Sequence, residues 1–236
     1  MTFNPLSNAV WYALTGPQAH LSLGTGGARM FEIDVTPFCA VPDDPSRQDW
    51  EQLARLLPVG GGALFRESIS LPPDWQTGDT WPCLQLVLPE AHSPKSTGIS
   101  AQTEILTHRD LPEILNLVSR TRPGPFLNNT LATGQYRGIR LEGQLAAMGG
   151  ERMRLPGATE ISAVAVAPQF RGQGLARSLI SELVSRITER HELPFLHVVD
   201  SNVEAIKLYE SMGFIVSRTI DARIVAGPGQ PPPQRR

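Results

Sequence analysis

Glu160-Ile161-Ser162-Ala163-Val164-Ala165-Val166-Ala167-Pro168-Gln169-Phe170-Arg171-Gly172-Gln173-Gly174-Leu175-Ala176 is the stretch whose reading decides the fold. Ile161 to Ala167 is almost continuously apolar, the pattern of a strand buried on both faces. Pro168 ends it, because proline has no N–H to give a ladder. Beyond the arginine-glycine turn, Leu175, Leu179, Ile180, Leu183, Val184 and Ile187 share one helical face. A strand, a glycine turn and a helix start together form an anion site, since the first helical N–H groups and the macrodipole both favour negative charge. Gly172 and Gly174 let a phosphate approach the backbone, and Arg171 adds a positive charge. The run lacks the Lys-Ser/Thr ending of a nucleotide P-loop. It also has Arg177 where a dinucleotide fingerprint has its third glycine.

The 236 residues are enough for one large or two small domains with a real core. A formal net charge of −2 gives no electrostatic support to a nucleic-acid or membrane-surface role. Cys39 and Cys83 lie far apart, so a reduced pair is expected, and no metal-ligand spacing is visible. No apolar run is long enough to span a membrane, and the opening M-T-F-N-P-L-S-N lacks the regions of a signal peptide. These features predict a cytoplasmic protein.

Residues 1–98 read as an accessory half. Short strands are expected at His20–Leu23 and Arg29–Val35 around Gly24-Thr25-Gly26-Gly27, a helix at Asp43–Leu57, and extended pieces near Gly62–Phe65 and Trp81–Leu88. Pro89 to Gly98 has linker composition. Residues 99–226 then open with a helix capped by Asp110, with Pro112 in its first turn and Glu113 closing a capping box. A hairpin around Glu142-Gly143 follows, and Pro194–Val199 makes another strand. Ser201 and Glu204 cap a last helix that ends at Gly213. Residues 227–236, rich in proline, read as a disordered tail.

Gln169-Phe170-Arg171-Gly172-Gln173-Gly174-Leu175-Ala176 resembles the pyrophosphate loop of the GNAT-superfamily acetyltransferases, Q/R-x-x-G-x-G/A. Asn202-Val203-Glu204-Ala205-Ile206-Lys207-Leu208-Tyr209-Glu210-Ser211-Met212-Gly213-Phe214 is similar to the second signature of that superfamily, N-x-x-A-x-x-L-Y-x-x-x-G-F. The two occur in the family's order, and the resemblance covers roughly Ala101 to Val225. It implies an α/β (α+β) fold, a mixed central sheet flanked by helices, with an N-terminal α/β half for which a degenerate copy of the same fold is one reading. One departure stands out: the family usually has two strands after the tyrosine-bearing helix, and here only Phe214 to Val225 remains. The first half or a second subunit would then cover the sheet edge.

The resemblance implies acetyl-CoA as cosubstrate and an amine acceptor, either a small molecule or a peptide or protein, in a monomer or homodimer with no nucleic-acid or membrane partner. The pantetheine arm would pair with backbone around Val164, Ala165 and Val166. The pyrophosphate would meet Gln169, Arg171, Gly172, Gln173, Gly174, Leu175 and Ala176. Asn202 and Ala205 would flank the arm, although an asparagine at a helix start also serves as a cap. The family pattern makes Tyr209 the general acid for the departing thiolate, while its ring also fits a core aromatic. Glu160, a carboxylate entering an apolar strand, is the expected base, with a raised pKa, or else a solvated strand end. His197 reads as a core histidine or a second base candidate, and Glu151, Arg152 and Arg154, which follow the hairpin, as surface charge or as lining of the acceptor cleft. The rival from another class is a non-catalytic acyl-CoA-binding or sensory module.

Overall fold

The chain enters through a 3-10 turn, Pro5–Asn8, that runs straight into helix α1 (Ala9–Leu14). The computed structural model describes residues 4–89 and 102–231, so most of the expected linker and the end of the tail lie outside the described residues. Strands β1 (Ser22–Leu23), β2 (Arg29–Phe31) and β3 (Phe38–Ala40) come next, then helix α2 (Arg47–Leu56) and strands β4 (Gly62–Arg66) and β5 (Gln76–Val87). The second half contributes β6 (Glu104–Ile105), α3 (Leu111–Thr121), β7 (Tyr136–Leu141), β8 (Gln144–Leu155) and β9 (Ala158–Val166). It continues with α4 (Leu175–Glu189), β10 (Leu193–Val199), α5 (Val203–Ser211) and β11 (Ile215–Ala226).

Local chemistry sets the helix starts, not always where the sequence reading put them. Ser46 and Asp49 form a reciprocal capping box that begins α2, three residues past Asp43. Before α3 the box is made by Thr107 and Asp110, and Asp110 makes no side-chain bond to the helix that follows. At α5 the Asn202 side chain accepts from the Ala205 N–H at 3.2 Å, so Asn202, not Ser201, is the cap. The six-residue α1 carries no pattern long enough to be read from sequence.

Among the described residues, eleven strands form one sheet in the order β1-β2-β3-β4-β11-β5-β10-β9-β8-β7-β6. The residue-98 boundary therefore falls between strands of one sheet. The last strand of each half has crossed into the other. β5 lies between β10 and β11, antiparallel to both, and β11 lies between β4 and β5. The order is nearly symmetrical about that centre. On one side β3 and β4 are a parallel pair with α2 between them in sequence; on the other β9 and β10 are a parallel pair with α4 between them. The missing strand of the second half is thus supplied by the first. The start of the proline-rich end is also ordered: Gln230 donates to the Leu57 carbonyl at 3.1 Å and accepts from the Gly227 N–H.

The core sits on both faces. Phe31, Phe38, Phe65, Phe195 and Ile220 pack with α1 on one side, and Ile161, Ile180, Leu183, Leu196 and Phe214 pack on the other. Gln18 ties the halves further, donating to the carbonyls of Thr133 and Arg152 at 2.7 and 2.8 Å. Among the described residues, no helix is long and apolar enough to cross a membrane. A chain beginning at residue 102 loses β5 and leaves the facing edges of β10 and β11 bare in the middle of the sheet. It is expected to aggregate, or to stay compact without a cooperative thermal transition. Gel filtration with a circular-dichroism melt checks this, and a soluble, cooperatively melting fragment would count against it.

Candidate active site

The parallel ladder between β9 and β10 is short. It pairs Leu193 with Ala158, Pro194 with Thr159, Phe195 with Glu160 and Leu196 with Ile161, and then stops although both strands continue. The reason is local. Ala163 sits at φ 53°, a left-handed conformation costly for a residue with a β-carbon, and the β8–β9 register slips between Met148 and Gly150. This bulge bends β9 away from β10, so Ser162 to Val166 present backbone that pairs with β8 on one side and, among the described residues, with no strand on the other. The sheet is forked at its centre.

Val164, Ala165 and Val166 lie along the open edge of that fork. β9 then turns through Pro168–Phe170 into the glycine loop and α4. Gly172 and Gly174 take φ of 77° and 76°, and Gly174 is the residue that starts the helix. A β-carbon built on either would meet no heavy atom within 4 Å, so the space over the loop is open. Arg171 and Gln173 are exposed beside it, Leu175 is buried and Ala176 half-buried. Gln169 faces the other way, its Oε1 accepting from Arg120 at 2.8 Å. An open amide edge leading to a glycine-lined helix N-terminus fits an elongated ligand that carries amides at one end and phosphates at the other.

Tyr209 sits on α5, its ring edge-on to Phe214 at 6.0 Å, against the core face that contains Leu196 and Val198. Its hydroxyl makes no hydrogen bond with the described residues, and burial pushes its pKa up to about 12. At neutral pH it therefore holds its proton.

Alternation along β10 puts His197 on the opposite face from Leu196, where its ring meets Phe65 at 4.6 Å and Phe195 at 5.6 Å. There it joins a buried polar chain. Arg152 holds Glu160 through two bonds, Nε to Oε2 at 2.9 Å and Nη2 to Oε1 at 2.7 Å, and stacks over the Phe38 ring. Glu160 Oε1 lies 2.8 Å from His197 Nδ1, and His197 Nε2 lies 2.9 Å from Gln85 Nε2. Gln85 Nε2 also donates to the Leu6 carbonyl at 2.9 Å. A carbonyl only accepts, so the Gln85 nitrogen faces both neighbours, and His197 Nε2 must be an acceptor. The histidine proton therefore sits on Nδ1, donated to Glu160. Burial lowers the His197 pKa against the pull of Glu160, so the ring stays neutral.

Two expectations are corrected here. Burial alone would raise the Glu160 carboxyl, as anticipated, but Arg152 and the bonds from His197 and Arg152 outweigh it and hold the pKa near 2. A carboxylate that acidic, with no exposed surface, is a poor proton acceptor at neutral pH. Arg152, read as surface charge, is buried, as is Glu151, which pairs with Arg190 at 3.1 Å. β8 runs on from the hairpin as far as Leu155, and that length carries the arginine inside. Gln85 was not singled out. The one trace it leaves in the sequence is a glutamine set among apolar residues in Cys83-Leu84-Gln85-Leu86-Val87. Among the described residues no cluster of His, Cys, Asp and Glu could hold a metal ion.

Comparison with known proteins follows the same line. A family profile described as FR47-like protein matches residues 136–222, from β7 into β11. The ribosomal protein bS18-alanine N-acetyltransferase of Escherichia coli K12 is 34% identical over 111 residues, which are 44% of this chain and 74% of that protein. A crystal structure from Novosphingobium aromaticivorans, assigned to the GNAT family of acetyltransferases, is 34% identical. It superposes with a TM-score of 0.83 over 95% of this chain and 99% of its own. A GCN5-related N-acetyltransferase from Kribbella flavida shares the fold at 14% identity, with a TM-score of 0.57 over 88% of this chain and 89% of its own.

Proposed function

This chain belongs to the GNAT superfamily and is an acyl-CoA-dependent N-acetyltransferase, and we propose that it moves the acetyl group of acetyl-CoA to a primary amine with Tyr209 as general acid. The observation that carries this reading is the fork between β9 and β10, opened by the Ala163 bulge directly before the glycine loop. Acetyl-CoA supplies an activated thioester. The open backbone of Val164 to Val166 would hold the pantetheine amides. The N–H groups from Arg171 to Ala176 would hold the pyrophosphate, and a backbone N–H near Val164 would polarise the thioester carbonyl. Tyr209, protonated and with no hydrogen-bond partner among the described residues, would supply the proton for the sulfur. A pure binding module needs no such acid, which weighs against the sensory alternative. Asn202 has its oxygen committed to Ala205, which supports a capping role over contact with the cofactor.

The E. coli relative is named for an alanine of a ribosomal protein. That supports the α-amine of a peptide beginning with alanine as the first acceptor to try, beside polyamines and free amino acids. A thiol-release assay over such a panel tests the reading, and absence of transfer to every amine would overturn it. Cys39 and Cys83 are buried free thiols, in keeping with a reducing, cytoplasmic setting.

The cofactor loop gives a sharper prediction. Gly174→Ala places a methyl group in the open space over the loop and asks an L-residue to hold φ 76°. Acetyl-CoA affinity measured by calorimetry is expected to fall about tenfold or more, equivalent to about 1.4 kcal/mol. The melting temperature of the free protein should fall by only about a few degrees, the cost of holding an alanine in the left-handed region. Unchanged affinity in the folded variant would remove the pyrophosphate from this loop.

A further inference from the structure

We propose that Arg152, Glu160, His197 and Gln85 form a belt of side chains that sets how far the central fork opens, with His197 a positioning residue for the reaction and not its base. The inference rests on the acetyltransferase reading above and gives the first half of the chain a part in it, because Gln85 holds the far end of the belt.

The fork has two arms. β10 is joined to β5 by five pairs, Phe195 to Val199, and β9 is joined to β8 from Ala158 to Val166. Between the arms there are only four ladder pairs, the last being Leu196 with Ile161. So short a ladder fixes where the strands meet, and leaves the angle at which they part to whatever crosses the join. The belt crosses it there. Arg152 comes from β8, Glu160 from β9, His197 from β10 and Gln85 from β5, and each is bonded to the next. Glu160 stands in the third ladder pair and His197 one residue past the fourth, so their 2.8 Å bond spans the point of parting. Each end is anchored. Arg152 grips Glu160 through two bonds, and Gln85, opposite His197 in the β5–β10 register, is also tied to the Leu6 carbonyl.

The angle matters because the parts of the site ride on different arms. Val164 to Val166, proposed to hold the cofactor arm and polarise the thioester, belong to β9. Tyr209 belongs to α5, which follows β10 after three residues. A change of splay would carry the acid away from the sulfur, and a misplacement of about 1 Å costs on the order of 10²-fold in rate.

The same bonds take His197 out of proton transfer. Its Nδ1–H goes to Glu160 and its Nε2 lone pair accepts from Gln85, which leaves neither nitrogen for an amine. The side chain is 3% exposed and set edge-on to Phe65 and Phe195. The charged groups that face it are Glu160 from β9 and Arg152 from β8, a pair of opposite sign. The acceptor must then arrive as the neutral amine or lose its proton to water.

Glutamine separates a tie from a base. At position 197 its amide N–H can donate to Glu160 and its oxygen can accept from Gln85, yet it takes no proton at neutral pH. With the full chain, acetyl-CoA and an alanyl peptide, His197→Gln is expected to keep kcat within about fivefold of the parent, whereas His197→Leu loses about 10- to 100-fold. Gln85→Leu should lower kcat by roughly tenfold with the amine KM within about twofold, and adding it to His197→Leu should cost little more, as coupled groups require. Wild-type ¹⁵N spectra, which need no variant to fold, should show His197 still neutral and protonated on Nδ1 at about pH 6, below the ordinary histidine pKa. A His197→Gln variant as slow as His197→Leu, parental rates in both leucine variants, additive losses in the double variant, or a ring that is mostly charged at about pH 6 would each overturn the inference and leave the acetyltransferase reading intact. Failure of the parent enzyme to acetylate the alanyl peptide or any amine of the wider panel would remove that reading and this one with it.

Discussion

Tyr209→Phe is expected to lower kcat by on the order of 10²-fold, with acetyl-CoA affinity and melting temperature close to those of the parent. Phenylalanine keeps the ring that meets Phe214 and the apolar contacts of α5, so packing is preserved. What disappears is the one proton that the tyrosine, with its pKa near 12, carries at neutral pH. General acids contribute on the order of 10²–10⁴ in rate, and a thiolate leaves tolerably well unaided, so the lower end applies. Steady-state kinetics with a good acceptor, beside calorimetry and a thermal melt, separate this from a core role. A variant that turns over at the parental rate would make Tyr209 a packing residue and leave water as the proton donor.

The second large effect falls on stability. Glu160→Gln leaves the Arg152 guanidinium buried with no carboxylate, and breaking a buried pair from one side costs about 3–5 kcal/mol. For a chain of this length that is a fall of roughly 10 °C in melting temperature. Removing both charges together, as Arg152→Met with Glu160→Leu, is expected to restore much of the loss, because the penalty comes from the orphaned charge. The pH dependence has a definite sign. The folded Glu160 pKa is depressed to about 2, so its contribution is complete above the ordinary carboxylate range and is lost as pH falls toward 2. The lowered pKa of His197 acts in the same direction, since the unfolded chain binds that proton first. Melting temperature should therefore decline as pH drops below about 6, and the Glu160→Gln variant should show a shallower acid limb. A melt insensitive to Glu160→Gln would mean that the pair is more solvated than its geometry indicates.

What could be read from sequence was local chemistry. The apolar run of β9, the proline, the two glycines and the helix face lie within one continuous stretch, and each reports on its own backbone. The pairing of β5 could not be read. Gln85 and His197 are 112 residues apart, and nothing near either marks the other as its partner. The direction of the Glu160 shift failed for a related reason. The apolar neighbours of Glu160 in sequence forecast desolvation correctly, but Arg152, eight residues back across a bulged register, and His197, on the next strand, together outweigh it. The loop before α2 shows the opposite case, where composition is decisive. It occupies the place in the first half that the glycine loop holds in the second, yet reads Val41-Pro42-Asp43-Asp44-Pro45-Ser46. Prolines offer no N–H groups and two carboxylates repel a phosphate, so of the two corresponding loops in a nearly symmetrical sheet only the glycine loop has the chemistry of an anion site.

The exchange of β5 and β11 also sets the order in which the protein can come into being on the ribosome. β4 waits for β11, its neighbour in the sheet, while roughly 150 further residues are made, on the order of ten seconds at ordinary rates of synthesis. Until then β4 and β5 present bare edges to the crowded space outside the exit tunnel. Neither half can close early as an independent unit. Closure is one late, long-range event, and a nascent chain released before β11 has emerged carries two unsealed half-sheets, the kind of species that chaperones hold.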